Sequence, residues 1–283
     1  MHSVLSLIVV LTLASSAAAA PGKAVPRLIF PVVGTTSYID DFGAPRAGGA
    51  HQGIDIMAAR HAPAVAVEAG TVKFWTTSAQ AGCMLYLHGA SGTTYLYIHL
   101  NNDLTAHNDN RGSCVAGIAY APGLRDGARV AAGQLIGYVG DSGDANGIHP
   151  HLHFEVHPND GAAVDGYPYL RKAQPLIFYA KKGTTVSLSI TGTIVASFAD
   201  DLELKTSTVQ SNSTTPVSVS RGVVLSLASD AQVSVDLPGV TVGLEALLAG
   251  MRATVFTLPV RATLAAQRGD ANALTAKRIL LTH

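Results

Sequence analysis

The sequence predicts an all-β protein made of two antiparallel β modules in series. Short apolar runs recur along the chain and are separated by Gly, Pro, Asn and Asp, the pattern of strands joined by turns. Few stretches show the apolar spacing of an amphipathic helix. Near residue 184 the composition changes from glycine-punctuated runs to Val, Ser, Thr and Leu in alternation, which marks a second module. A chain of 283 residues has room for two compact domains. With 48% hydrophobic and 13% charged residues, it can bury a core and does not have a disordered composition.

Taken in order, residues 4–13 are apolar and lead into a tract of small residues at 15–20. This reads as a secretory signal over 1–20 with Ala-x-Ala cleavage sites, although Met1-His2-Ser3 has no basic residue. The run is too short to span a bilayer. No other segment is long and apolar enough, so no stable membrane insertion is expected after cleavage. The first module is expected over 21–175, with strands at 64–67, 71–75, 84–87, 94–100 and 135–139 punctuated by turn glycines. A polar, glycine-rich stretch at 104–129 is long for a loop inside a compact domain, so it should be functional or tied down. Residues 157–175 read as a connector within that span. The second module is expected over 180–283, with strand-like runs at 186–190, 217–219, 233–235, 251–258 and 274–281 and one helix at 244–248.

Formal net charge is zero. That argues against a broad electrostatic grip on nucleic acid or on anionic lipid, which needs clustered Lys and Arg. The chain has only two cysteines, Cys83 and Cys114. In an exported protein such a pair is more often a disulfide than a metal site, and this one would tie the 104–129 loop to the strand at 84–87.

Three segments carry chemistry. In His51-Gln52-Gly53-Ile54-Asp55, the alternation of Ile54 and Ile56 sets Asp55 on the side opposite the core. A straight strand would hold His51 and Asp55 about 13 Å apart, and Gly53 permits the bend that brings them together. In His151-Leu152-His153-Phe154-Glu155-Val156, the apolar residues face the core and His151, His153 and Glu155 face outward. In Tyr95-Leu96-Tyr97-Ile98-His99-Leu100, Leu96, Ile98 and Leu100 read as the core set. That leaves Tyr95, Tyr97 and His99 on the open face, with Tyr97 a candidate substrate contact. Each segment alone is weak evidence. Together they offer imidazoles and a carboxylate from neighbouring strands, a donor set suited to Zn²⁺. Three protein ligands leave a fourth position for water, as in catalytic sites. No His-Glu-x-x-His helix and no Gly-x-Ser-x-Gly elbow occurs.

These blocks, His51-x-x-x-Asp55, Tyr97-Ile98-His99-Leu100 and His151-Leu152-His153-Phe154-Glu155, resemble the signature blocks of the lysostaphin and LytM-type peptidoglycan endopeptidases. Ala69-Gly70-Thr71-Val72 and Gly133-Gln134-Leu135-Ile136-Gly137 are similar to the family's strand and turn segments. The likeness spans roughly residues 40 to 157. It implies an antiparallel β-sheet peptidase domain, related to barrel-sandwich hybrids, that holds one Zn²⁺ per chain through His51, Asp55 and His153. It further implies that His151 is the general base and that His99 is its partner, orienting water or stabilising the oxyanion. The implied substrate is peptidoglycan. Two departures stand out: the loop after His99 is longer than in the minimal enzymes, and His149 precedes the last block. Glu155 would either hydrogen-bond a ligand histidine or be a solvated strand-face carboxylate. His61, His88, His107 and His157 are expected to have no direct catalytic role.

The second module resembles small OB-like β-barrels, through Gly192-Thr193-Ile194-Val195 and residues 274–279. It has no catalytic constellation of its own. Two other classes stay open. One is a catalytically inactive wall-binding or activator protein on the same fold, and such proteins typically lose metal ligands that this chain keeps. The other is a lipoyl- or biotinyl-type carrier domain, for which no exposed hairpin lysine is evident. Oligomeric state and the bond cleaved are not legible.

Overall fold

The computed structural model describes residues 24–212, 216–236 and 240–282. The expected signal at 1–20 lies outside the described residues. Among those described, no helix is long and apolar enough to cross a membrane.

Seven strands form one antiparallel sheet: β1 (Thr36–Ser37), β2 (Ile54–Ala58), β3 (Gly70–Trp75), β4 (Cys83–Gly89), β5 (Thr93–Leu100), β6 (Arg129–Val130) and β7 (His151–Pro158). Their order across the sheet is β1-β2-β7-β5-β4-β3-β6. The last strand in sequence, β7, therefore inserts between β2 and β5, and this insertion brings distant motifs together. His153 lies opposite Asp55 on one side and Ile98 on the other. One face is packed by Ile54, Ile56, Leu85, Leu87, Leu152, Phe154 and Val156, all essentially inaccessible. Burying side chains of this size stabilises the fold by about 1.5–3 kcal/mol each.

The expected disulfide is present: Cys83 and Cys114 are bonded, with Cα atoms 5.1 Å apart. It pins the long loop to β4. A second clamp is ionic. Arg60 pairs with Asp103, at the start of that loop, and reaches Asp141 at 2.5 and 2.8 Å. Both carboxylates are buried, and Asp103 also accepts from the backbone N–H groups of Asp109 and Asn110 at 2.7 Å. The 157–175 segment is less of a connector than expected. β7 continues to Pro158, a helical turn forms at Tyr167–Leu170, and Leu170 packs into the sheet's core.

Five longer strands follow: β8 (Leu188–Ser197), β9 (Asp201–Ser211), β10 (Val217–Val235), β11 (Arg252–Thr257) and β12 (Thr275–Thr282). They pair in the order β9-β8-β11-β12-β10, and β10 pairs again with β9, closing a five-stranded barrel. Every pairing is antiparallel except β10 with β12. A second apolar cluster fills this barrel, including Ile190, Leu202, Leu204, Leu225, Val255 and Ile279. The expected strands at 217–219 and 233–235 are the two ends of the single 19-residue β10. Gly222 and the Ser229-Asp230 pair within it read as breaks and disguised the continuity. The expected helix at 244–248 is a 3-10 turn at Leu244–Ala246. An unexpected short helix, Leu264–Arg268, starts where the Thr263 hydroxyl accepts from the Ala266 N–H and stops at left-handed Gly269.

Candidate metal centre

His51, Asp55 and His153 converge on one point. His51 Nε2 lies 3.0 Å from Asp55 Oδ1 and 2.9 Å from His153 Nδ1, and the last two atoms are 3.0 Å apart. Each residue arrives by its own route. Asp55 sits on β2 with Ile54 and Ile56 pointing the other way. His153 is its cross-strand partner on β7. His51 precedes β2 and is held by backbone bonds, its N–H to the Ala44 carbonyl and its own carbonyl to the Gly43 N–H. Gly53 is needed for space rather than for an unusual φ. A Cβ there would come within 2.6 Å of the Phe154 carbonyl oxygen and 2.7 Å of His153 Nε2. A methyl group at Gly53 would push β7 away and open the triad.

Acceptor groups fix the tautomer of every imidazole at the site. His51 Nδ1 donates to the Asp41 carbonyl at 3.0 Å, which leaves Nε2 facing inward. His153 Nε2 faces the Glu155 carboxylate at 3.0 Å, which leaves Nδ1 inward. His151 Nδ1 donates to the His149 carbonyl at 3.0 Å, and its Nε2 points toward Asp55, 3.8 Å from Oδ1. His99 Nδ1 donates to the Ser142 carbonyl at 2.8 Å. The His99 and His151 rings are 5.1 Å apart, so two further inward Nε2 atoms flank the triad.

His99 reaches this cluster by breaking the strand's alternation. Its φ of 60° is in the left-handed region, uncommon for a residue with a side chain. Strain of this kind costs on the order of 1–3 kcal/mol and persists where the surroundings impose it. The consequence corrects the expected face of β5. Tyr95 and Tyr97 point into the core, while Leu96 and Ile98 join Met84 on the site's side of the sheet. Tyr97 is fully buried, and its hydroxyl donates to the Val65 carbonyl and accepts from the Val67 N–H. It therefore does not line the open face, and the expectation of a substrate contact there fails.

Several residues at the site were not foreseen. Arg46 donates to the outer oxygen of Asp55 at 3.1 Å and to Asp41 at 3.0 Å. Ser142 accepts from the Cys83 N–H and donates to the Leu100 carbonyl, which anchors the carbonyl that orients His99. His157 lies 2.6 Å from Glu155, so Glu155 bridges two imidazoles. Of the two readings of Glu155, the hydrogen-bonded one is present. His61, His88 and His107 stay away from the cluster.

The electrostatics follow from this crowding. Burial works against ionisation of Asp55 and Glu155, but hydrogen bonds and charge from their histidine neighbours override it. Asp55 is held well below the carboxylate range and Glu155 is brought down to about 2. Burial also disfavours a charged His153, yet its place between those two carboxylates raises it to about 9. His99 goes the other way: burial, then the nearby His151, lowers it to about 4, so it is neutral at pH 7. The donor set fits a tetrahedral divalent ion. Two imidazole nitrogens and one carboxylate oxygen suit zinc, whose bonds of about 2.0–2.1 Å would set ligand atoms about 3.3 Å apart. The triad needs to open by only a few tenths of an ångström.

The sequence profile of peptidase family M23 matches residues 49–115 and 104–166. That segment of the chain is similar to this family. All the converging side chains fall inside the matched residues. The L-Ala–D-Glu endopeptidase of Bacillus subtilis (strain 168) is 27% identical over 163 residues, 54% of this chain and 45% of that protein. The chain thus spans less than half of that relative's length. Among solved structures, a LytM protein from Ruminococcus gnavus is 28% identical, covering 51% of this chain and 59% of that one, with a TM-score of 0.40. The catalytic domain of the antimicrobial peptidase lysostaphin from Staphylococcus simulans is 23% identical, covering 49% and 92%, with a TM-score of 0.35.

Proposed function

We propose that this protein is an exported zinc-dependent endopeptidase that hydrolyses peptide bonds in peptidoglycan stem peptides or cross-bridges. The observation that carries the reading is the meeting of His51 Nε2, Asp55 Oδ1 and His153 Nδ1 within 3.0 Å, beside two more imidazoles with inward Nε2 atoms. One zinc per chain would be held by His51, Asp55 and His153; when bound, it supplies a Lewis acid and lowers the pKa of water toward neutrality.

The chain's own residues divide the remaining work. Because His151 carries its proton on Nδ1, its Nε2 is free to take a proton from the attacking water and return it to the leaving amine. Neutral His99 likewise presents a bare Nε2, so it orients the water as an acceptor rather than donating to an oxyanion. Glu155 fixes His153 in the tautomer that offers Nδ1, and Arg46 holds Asp55 by its outer oxygen.

Export rests on the signal-like 1–20 segment and agrees with the disulfide. The proposed organisation is a peptidase domain over 21–175 and a separate barrel module over 180–283, supported by two distinct apolar clusters. The test is loss of turbidity of purified peptidoglycan, with and without a chelator, followed by mass spectrometry of the released fragments. Chelator-sensitive release of fragments with newly exposed peptide termini is expected. Release by cleavage of glycan bonds, or no release, would refute the reading.

A further inference from the structure

A cleft of about 870 Å³ lies between the sheet and the barrel, at the edge of the sheet farthest from the metal centre. Arg125 reaches it from the turn leading into β6 and Arg129 from β6 itself, and Lys181 and Lys182 reach it from the segment leading into the barrel. All four are exposed, and among the described residues none has an ion pair or a side-chain hydrogen bond. No Asp or Glu lines the cleft. In a chain of zero formal net charge, four unpaired cations around one concavity are a local concentration rather than the overflow of a basic protein.

The rest of the lining narrows the ligand. Its charged and amide side chains present donors. Gln134 and Gln267 use their carbonyl oxygens on the backbone N–H groups of Ala131 and Ala180, so their free amide ends can only donate. Tyr138 and Tyr179 add ring surface, and the remaining wall is mostly Ala, Gly and Leu. A lining of donors over an apolar floor suits a chain that brings acceptors and carbon spacers. An acidic peptide would also bring N–H groups, which would lose water and find few acceptors.

We propose that this cleft binds a phosphodiester-linked polyol polymer, whose successive phosphates are shared between the arginine pair and the lysine pair. The metal centre takes no part in this binding, so it stands or falls separately from the peptidase reading. The experiment uses the full mature chain and a labelled oligomer of poly(glycerol phosphate), followed by fluorescence anisotropy. Poly-glutamate and oligothymidylate of matched charge serve as competitors. The oligomer should bind, and binding should weaken as salt rises. Reversing one charge on each side, Arg125→Glu with Lys182→Glu, should weaken binding by roughly tenfold or more, because charge-assisted contacts are lost from both pairs. Zinc content and hydrolysis of a small soluble peptide should not change. Arg125→Gln with Lys182→Gln should give a smaller loss in the same direction, and it replaces the reversal variant if that one melts early. No binding at low salt, or binding indifferent to both variants, would overturn the site. Equal or tighter binding of poly-glutamate or of oligothymidylate would overturn the ligand class.

Discussion

The seven-stranded sheet and the five-stranded barrel use the same strand chemistry for different ends. The sheet is covered on one face and open on the other, and its open side carries buried polar groups: His51, His99, His151, Glu155, Asp103 and Asp141. The barrel closes on itself, and its few buried polar residues, among them Thr206 and Thr257, are neutral. Apart from His2 and His283, every histidine of the chain lies between residues 51 and 157. Burying titratable groups is costly unless they are paired or hydrogen-bonded. Such groups persist where they serve a site, so their segregation supports placing the proposed chemistry in the sheet.

Removing the carboxylate should break the contrast most sharply. Asp55→Ala deletes one of three proposed ligands and leaves two imidazoles without their shared acceptor. Zinc and activity should vanish together, with peptide hydrolysis down by at least roughly 10⁴-fold. Elemental analysis of the purified variant checks it, and full zinc occupancy would remove Asp55 from the ligand set. His151→Ala should separate binding from proton transfer. It should keep zinc and lose about 10²–10⁴ in rate. Loss of metal would make His151 a ligand, and near-normal turnover would place the base elsewhere.

Much of this site was legible in the sequence, for a physical reason. His51, Asp55, His151 and His153 sit in short segments whose apolar neighbours announce the orientation of each strand. Tyr97 was misread because both alternating sets of β5 are apolar enough to be core, and the left-handed turn at His99 reverses the parity at the one polar position used to choose between them. Nothing local signals that reversal. The Arg60–Asp103–Asp141 clamp was invisible for another reason: its members are 43 and 81 residues apart. No periodicity connects them until β7 is threaded into the middle of the sheet. In the barrel, the topology resolved what alternation could not, since β10 runs unbroken through Gly222 and the Ser229-Asp230 pair, which read as turns in the sequence.

The long loop tests whether the sheet's open side depends on its clamps. Replacing both Cys83 and Cys114 by serine releases a 31-residue closure. It should lower stability by about 3–4 kcal/mol in the chain-entropy model. Chemical denaturation of the oxidised parent and the double variant measures this. An unchanged midpoint would mean that the Arg60 clamp alone holds the loop.

A gentler perturbation is pH. His153 is raised to about 9, so below that value it carries a proton that a metal must displace. The sign is therefore fixed: apparent zinc affinity should rise with pH, by about tenfold per unit, and level off near pH 9. Competition with a chelator of known affinity across pH 6–10 measures the slope. A flat profile through neutrality would show that His153 is already deprotonated on the inward nitrogen.

The smallest effect should come from removing the barrel. Every side chain assigned to chemistry lies before residue 158, and the sheet's main core cluster contains no residue beyond Tyr179. The two units do touch. Leu176 packs with Ile29, Val33 and Val65, against which Val217 and Leu264 also rest, and the Ile177 N–H donates to the Gln267 carbonyl. A chain ending near residue 175 would expose that seam, so it should melt earlier than the full protein. It should nevertheless bind zinc and hydrolyse a soluble peptide at a rate within about threefold of the parent, because no hydrogen bond that orients the site's imidazoles comes from the barrel. On intact peptidoglycan the rate would fall if the barrel side concentrates the enzyme on its polymer, since tethering raises effective concentration. A folded, zinc-loaded truncation that cannot cleave the soluble peptide would show that the barrel completes the active site, and the proposed division between the two units would fail.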